Sequence, residues 1–377
     1  MTNLDELLRK YNPNGVSPVK LGDVLDYEQP SKYIVSSSEY DDNYDIPVLT
    51  AGQSFILGYT DETDGVYKAS KKNPTIIFDD FTTGYHWVDF DFKVKSSAMK
   101  MLRLRDNNSL LRYVFHSMAL INYVPSEHSR QWISKYSQFE IPIPHIKVQE
   151  EIVEILDSFT NLIDSLNEEL SLRQKQFEYY REKLLTFKTN DENVIFDILE
   201  NIAPYSKKRI NSEMLNAENY VGVDNLLQNK EGKEISTSVP NSGNWTRYDE
   251  GDILVGNIRP YLKKIWFADN TGGASGDVLV FTLKDKSLLL PKYLFYLLSS
   301  DNFFEFDNNS ARGAGMPRGD KKVICRYSIT FPKDKAIQQS IVEKLDAFES
   351  LILSLKEEIA LRQKQYEYYR EKLLTFN

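Results

Sequence analysis

Side chains able to do covalent chemistry are few in this chain and poorly spaced for it. Four histidines, His86, His116, His128 and His145, fall at intervals unlike any metal-ligand spacing, and the single cysteine, Cys325, can build neither a zinc site nor an internal disulfide. Each histidine therefore reads as a core, turn or surface residue. Asp79 and Asp80, just ahead of Thr82-Thr83-Gly84, have the residue types of a nuclease carboxylate pair. Neighbours on a strand point to opposite faces, so no shared metal ion is expected. What remains is chemistry of recognition. Lys71-Lys72 and Lys207-Lys208-Arg209 are basic runs suited to a phosphate backbone, with a solvated surface as the competing reading. The segment Arg312-Gly313-Ala314-Gly315-Met316-Pro317-Arg318-Gly319 sets two arginines among small residues, as a loop closing on a groove would; it lacks the spacing and the lysine-serine or lysine-threonine ending of a Walker loop.

A duplicated element must position these groups. Leu172 to Phe187 reads LRQKQFEYYREKLLTF and Leu361 to Phe376 reads LRQKQYEYYREKLLTF, differing only at Phe177 and Tyr366. At the same offset Ile152 pairs with Ile341, Leu156 with Leu345, Phe159 with Phe348 and Leu166 with Leu355, which marks a duplicated unit. In the first copy Leu156, Ile163, Leu170, Phe177 and Leu184 recur every seven residues. Ile152, Phe159, Leu166, Arg173, Tyr180 and Phe187 form a second such series, and the second copy repeats both. This seam predicts two helices of about forty residues, each roughly 60 Å long, pairing antiparallel within the chain to cover their apolar stripes. Arg173 and Arg362 interrupt the seam at matching places, either snorkelling to solvent or fixing register. The adjoining clusters, Phe177, Tyr179 and Tyr180 in one copy and Tyr366, Tyr368 and Tyr369 in the other, exceed what one seam can bury. With the two arginines they are the candidate partner-docking residues.

A length of 377 residues allows two or three domains, and the duplication selects two. With 41% hydrophobic and 27% charged residues the composition is that of an ordinary globular protein. No apolar run approaches the roughly 18 residues that span a bilayer. The start, MTNLDELLRK, is acidic where a secretory leader needs a basic end and an apolar stretch, so a cytoplasmic location without membrane contact is expected. A formal charge of -9 argues, on average, against a polyanionic partner. Yet Gln149 to Lys188 has nine acidic and five basic residues and Gln338 to Asn377 seven and six, so the helices hold more than half of the excess acid. The globular parts are nearer neutrality, and charge neither shows nor excludes a nucleic-acid role.

Between Val16 and Tyr136, β-type runs at Ile46 to Leu49, Ser54 to Tyr59, Thr75 to Phe78 and Trp87 to Val94 alternate with turn formers such as Asn12 to Gly15, Gly52 and Asp64-Gly65. A helical pattern returns at Leu110 to Ile121. Beyond Lys188 to Asn193 the order repeats, with Ile253 to Val255 and Asp277 to Phe281 as strands and Pro291 to Ser299 as a helix. The two heads share a layout and little sequence, as two different readers on one mount would.

This order of head, long helix, different head and near-identical long helix, with ISKYSQFEIPIPHIKVQEEIVEILDSF and its echo ITFPKDKAIQQSIVEKLDAFESLI, resembles the specificity subunit of type I restriction-modification systems over essentially the whole chain. The resemblance implies an α+β fold: two globular target recognition domains, 1–148 and 189–337, separated by two long helices, 149–188 and 338–377, that pair as an intramolecular antiparallel coiled coil. It implies a non-catalytic, sequence-specific DNA-recognition subunit. Val16 to Tyr136 and Val194 to Tyr327 would each read half of a split target in double-stranded DNA. The helices would set the spacer and hold two modification subunits that methylate adenine, leaving room for restriction subunits that cleave. No cofactor is expected in this chain, with S-adenosylmethionine in the modification partner and ATP and Mg in the restriction partner. The Asn/Asp-Pro-Pro-aromatic motif and glycine-rich cofactor motif of an adenine methyltransferase do not occur in the sequence, so no catalytic residue is expected. A coiled-coil adaptor for proteins alone is the alternative.

Within the heads, Val48-Leu49-Thr50-Ala51-Gly52-Gln53 followed by Gly58-Tyr59 looks like the family's early head segment and makes Thr50 and Gln53 candidate DNA contacts. Gly256 to Lys264 resembles the equivalent element of other members. It offers Asn257, the guanine-matching fork of Arg259, Tyr261, and Lys263 and Lys264 for phosphates. With Lys71, Lys72, Lys207, Lys208, Arg209, Arg312 and Arg318 these complete the candidate DNA-binding set. For any one of them, a strand-turn-strand with solvent-facing polar groups is the plainer reading.

Overall fold

The computed structural model describes residues 3–50 and 54–376. Among them the helices of eight or more residues are α1 (Asn3–Tyr11), α2 (Leu111–Met118), α3 (Ile146–Leu185), α4 (Pro291–Leu298), α5 (Asp301–Ser310) and α6 (Lys335–Leu374). The long pair, α3 and α6, have 40 residues each, the length the heptads predict. The chain packs as two compact units, Met1–Asn167 with Glu357–Asn377, and Glu168–Lys356. Each unit thus takes half of each long helix together with one head.

In the first unit, β1 (Pro18–Lys20) pairs with β9 (Glu140–Pro142), tying the start of the head to the stretch that enters α3. The strands β2 (Leu25–Glu28), β5 (Thr75–Asp79), β6 (Tyr85–Val88) and β8 (Met99–Leu104) form an antiparallel sheet in the order β2-β8-β5-β6. Thr75 to Phe78 of β5 are all buried, the continuous apolar run of a strand covered on both faces. A second sheet joins β3 (Ile46–Leu49), β4 (Ile56–Thr60) and β7 (Lys93–Val94) in the order β4-β3-β7. The single strand expected from Trp87 to Val94 is therefore two, β6 and β7, in different sheets. Asp89-Phe90-Asp91 turns between them because aspartate favours turns over a pleated surface.

The second unit repeats the plan. The edge pair is β10 (Val194–Ile198) with β18 (Ser328–Pro332). One sheet orders β11 (Arg209–Asn211), β12 (Tyr220–Val221), β13 (Asn244–Tyr248) and β16 (Gly272–Ala274) as β11-β13-β16-β12. The other sets β14 (Ile253–Gly256), β15 (Ile265–Phe267) and β17 (Val278–Phe281) as β15-β14-β17.

Both units show how the long helices pair. In the first, Val148, Ile152 and Leu156 of α3 share an apolar cluster with Tyr366 and Leu374 of α6 and with Leu4 of α1. In the second, Leu185 of α3 clusters with Ile341, Val342 and Leu345 of α6. The first half of each helix meets the second half of the other, which is the antiparallel seam that the duplicated heptads predict. Matching glutamines fasten each head to its helix start. Gln149 accepts from the Leu110 N–H and donates to the Pro144 carbonyl, each at 2.8 Å; Gln338 accepts from the Leu290 N–H at 2.9 Å and donates to the Pro332 carbonyl at 2.8 Å.

Candidate nucleic-acid interface

In the second unit the loop between β14 and β15 lies against the glycine-rich segment after α5. The Arg259 N–H donates to the Pro317 carbonyl at 2.7 Å, the Gly319 N–H to the Asn257 carbonyl at 3.2 Å, and Arg312 and Arg318 exchange backbone bonds of 3.0 and 2.9 Å. Arg259 (φ +52°) and Lys263 (φ +49°) take left-handed conformations on either side of the short turn Pro260–Leu262, which bends the loop back. This brings the Arg259 loop and the Arg312–Arg318 turn side by side, with Arg259, Tyr261, Arg312 and Arg318 exposed and Lys263 partly so. Arg318 forks onto Asp277 at 3.1 and 3.4 Å, and Lys263 binds Asp301 at 2.9 Å. Burial pushes the Asp301 carboxyl upward, but hydrogen bonds from Lys230 and Lys263 outweigh it and bring it down to about 2. Among the described residues Arg259 and Arg312 have no carboxylate partner, so their guanidinium forks are uncommitted.

Two expected members of this set face inward instead. Asn257 is buried, and Lys264 is buried with its Nζ donating to the Val223 carbonyl at 2.6 Å. The close approach of Lys264 to Gly256 across the β14–β15 hairpin seats its stem on the interior side, so neither residue is available to DNA. The run Lys207-Lys208-Arg209 leads into the other sheet of the unit. There Lys208 pairs with Asp249 at 2.5 Å and Arg209 bonds Thr246 Oγ1 at 3.1 Å, while Lys207 is exposed.

The first unit carries the same backbone scheme at Asp80. Its N–H donates to the Ala98 carbonyl (2.8 Å) and its carbonyl accepts the Gln131 N–H (2.7 Å), as Asn257 donates to Asp277 and accepts from Gly319. Phe81 to Thr83 therefore stand where the Arg259 loop stands, again with a left-handed residue, Thr83 (φ +61°). Ser126 to Arg130 take the place of the glycine-rich segment. Phe81 stacks on His128 at 4.7 Å, and Arg130 is exposed beside them. No motif marks these residues; the one signal is their place after the central core strand, which becomes legible only when both heads are folded. Asp79 and Asp80 act separately. Asp79 accepts the N–H groups of Phe81 and Thr82 (2.8 Å each), whereas Asp80 is buried 3.0 Å from Lys100. Thr50 closes β3 with its N–H on the Phe55 carbonyl at 3.0 Å, and Gln53 lies outside the described residues. Lys71 and Lys72 are exposed in the turn between Ser70 and Asn73.

On the long helices the partner-docking candidates divide by burial. Arg173 and Arg362 lie along their own helices, on Glu169 and Gln176 and on Glu358 and Gln365, the snorkelling arrangement. Tyr180 stacks on Phe348 at 5.5 Å and Tyr369 on Phe159 at 5.3 Å, inside the seam. Tyr179 and Tyr368 are exposed to 60% and 59%, and Leu172 and Leu361 to 66% and 65%, so the repeat keeps a matching apolar face in water.

Tyr366 and Phe177, the one difference between the 16-residue copies, each meet a head helix. Tyr366 Oη lies 3.0 Å from His116 Nδ1, and the other ring nitrogen lies 2.8 Å from Asp157, which also accepts from Arg112 at 2.7 Å. Burial lowers the His116 pKa. Asp157 is raised by its own burial but pulled further down by hydrogen bonds from His116 and Arg112. In the second unit Phe177 has no hydroxyl to offer, and Tyr296, sixth residue of α4 as His116 is of α2, turns its own hydroxyl to Asp346 (2.5 Å) and Glu349 (2.9 Å). Tyr366→Phe leaves a buried imidazole nitrogen without a partner and is expected to cost about 1–2 kcal/mol in urea unfolding. An unchanged midpoint would show that the nitrogen finds another partner.

Known proteins resemble the chain throughout. Residues 13–172 and 191–362 each match the family model of the type I restriction modification DNA specificity domain. The chain is 39% identical over 395 residues to the type I restriction enzyme EcoR124I/EcoR124II specificity subunit of Escherichia coli, covering 94% of this chain and 93% of that one. In fold it is similar to the S subunit of a type I restriction-modification system from M. genitalium, at TM-score 0.60 and 14% identity over 96% of each chain. A second likeness, at TM-score 0.51 and 15% identity over 96% of this chain and 97% of that one, is to a chain solved in work on complex assembly and conformational transition of the type I R-M system.

Proposed function

Because this chain belongs to the type I restriction-modification DNA specificity family, we propose that it recognises the DNA target for such a complex, one head for each half of a split sequence. It is a recognition component and not the catalyst. The observation that carries the two-reader scheme is that the specificity domain occurs twice, once per head, around a duplicated helix. On this reading residues 1–148 and 189–337 are the target recognition domains, and residues 149–188 and 338–377 the helices that set the spacer between half-sites.

In the second head Arg259 and Arg312 present open forks for base edges or phosphates, Tyr261 offers an exposed ring, and Lys263 and Arg318 present charge held in place by Asp301 and Asp277. In the first head the corresponding face is Phe81 to Thr83 with His128 to Arg130, and Thr50, Gln53, Lys71 and Lys72 add contacts. Lys207, Lys208 and Arg209 contribute to backbone attraction. Two modification subunits dock on the exposed Leu172-Tyr179 and Leu361-Tyr368 faces, whose near-identity suits two copies of one partner. S-adenosylmethionine serves the modification partner, and ATP and Mg a restriction partner where one joins. Adenine must leave the stack to be methylated, and the receiving pocket belongs to the modification subunit. A cytoplasmic setting fits this role, and no helix among the described residues is long and apolar enough to cross a membrane.

The test is methylation mapping of DNA after co-expression with the cognate modification subunit. A split adenine-methylated motif is expected, lost when this chain is omitted and altered in one half when either head is exchanged. Methylation unchanged by omission of the chain would favour the protein-only adaptor. In the same assay Arg259→Ala is expected to weaken recognition by about 1–3 kcal/mol, roughly five- to 150-fold, in one half-site only. Uniform loss over both halves would make Arg259 a residue of general affinity or of folding.

A further inference from the structure

Position-by-position comparison of the two units exposes one surface that α1 walls in the first, enclosing a cavity of about 800 Å3 against the long helices, and that no helix walls in the second. In the first unit α1 runs beside the start of α3: Asn3 Nδ2 donates to Glu151 at 2.7 Å, the Tyr11 ring stacks on His145 at 4.5 Å, and Leu4 is buried in the cluster that holds Val148, Ile152 and Leu374. At the constant offset of 189 residues the second unit has the same surface, with Ile337, Ile341 and Lys344 of α6 facing Lys183, Leu184 and Phe187 at the end of α3. These line an open groove of about 500 Å3. Among the described residues of this unit no helix takes α1's place, since the chain passes from α3 directly through a short link into β10. Ile337 is 45% exposed where its counterpart Val148 is fully buried.

We propose that this groove of the second unit docks a short amphipathic helix of a partner protein, built like α1 with leucines three to four residues apart on one face and acidic residues in its first turn. The apolar half of the assignment comes from α1 itself, which shows what the duplicated surface accepts; its nine residues span about 14 Å. The acidic half comes from charge. Ala336, Ser340 and Lys344 stand in the second unit where Lys147, Glu151 and Ile155 stand in the first, so the groove loses one base and one acid and gains one base, a net gain of one positive charge beside Lys183. An acidic first turn such as α1's Asp5 and Glu6 complements that rim. Because DNA reading plays no part in this, the two assignments can fail separately.

The probe is a fluorescein-labelled synthetic peptide of residues 1–15, titrated into the full-length chain at low salt and followed by anisotropy. Saturable binding of one peptide per chain is expected. Ile337→Glu should weaken it at least tenfold, and so should Leu4→Ala with Leu8→Ala in the peptide. Ile337 is half in solvent, so the substitution is compatible with the fold, and unchanged thermal unfolding would show the loss to be local. Lys344→Glu provides an independent variant: it should weaken the native peptide at least threefold, with recovery by a peptide carrying Asp5→Lys and Glu6→Lys. Absence of saturation, or binding indifferent to both Ile337→Glu and Lys344→Glu, would overturn the proposal. A concentration-dependent dimer in sedimentation that disappears on removing residues 1–11 would give the groove to a second copy of this chain and overturn the assignment to a partner.

Discussion

Asp80→Ala is expected to destabilise the first unit by about 3–5 kcal/mol, a large fraction of the stability of an ordinary domain. Asp80 Oδ2 lies 3.0 Å from Lys100 Nζ, with both side chains 1% exposed, and Asp80 Oδ1 accepts the Trp132 N–H at 2.8 Å. Neither Oδ2 nor Nζ makes an aligned hydrogen bond, so the contact is charge pairing, helped by the Tyr27 ring 4.7 Å from the ammonium. Without the carboxylate an ammonium stays buried and unpaired. The double variant Asp80→Ala with Lys100→Met is expected to recover most of the loss, since removing both charges avoids that penalty. Urea unfolding of the single and double variants measures this. A single-variant loss below about 1 kcal/mol would mean that water reaches the Lys100 ammonium and solvates it in place of the carboxylate. The effect should extend to recognition, because Asp80 anchors the Phe81 loop and the Gln131-Trp132 backbone that together position His128 and Arg130.

Asp307→Asn is expected to stabilise the second unit at pH 8 and to remove a slope in its stability between about pH 4 and pH 7. Asp307 lies behind the Arg259 loop, fully buried, and neither carboxylate oxygen has a hydrogen-bond partner. Burial with no cation beside it pushes its pKa up to about 7, against 3.8 for an ordinary aspartate. Between those values the folded chain holds a proton that the unfolded chain has released, so stability falls as pH rises through this window. At about 1.4 kcal/mol per pH unit the total is up to roughly 4 kcal/mol, all of it lost above pH 7. Asparagine cannot ionise, so its profile should be flat there apart from other groups. His116 contributes with the opposite sign, because a lowered histidine pKa removes stability as pH falls below about 6.5, and only the difference between wild type and variant isolates Asp307. Parallel denaturation curves at pH 5 and pH 8 would show that Asp307 is paired or hydrated. Gly319 lies against this carboxylate, where a Cβ would come within 1.9 Å of Asp307 Oδ1, so the same buried group shapes the turn that follows Arg318.

By itself the sequence determined the long helices, their antiparallel pairing, the two-headed plan and the family. Heptad spacing and a constant repeat offset are properties of the chain that need no knowledge of what packs against what. The central strands were legible for the same reason, being short apolar runs bounded by turns. Only the tertiary structure decided which polar residues face outward. Asn257 and Lys264 belong to the same basic loop as Arg259 yet point inward, because Gly256 and the Val223 carbonyl lie behind them. Phe81, His128 and Arg130 meet through backbone bonds between segments far apart in the chain, and no local pattern announces that meeting. The Tyr366-to-Phe177 change reads as conservative until His116 and Tyr296 are in place beside it. Periodicity records which face of an element is apolar; exposure of a particular side chain depends on neighbours brought from elsewhere, and those are supplied only by the folded chain.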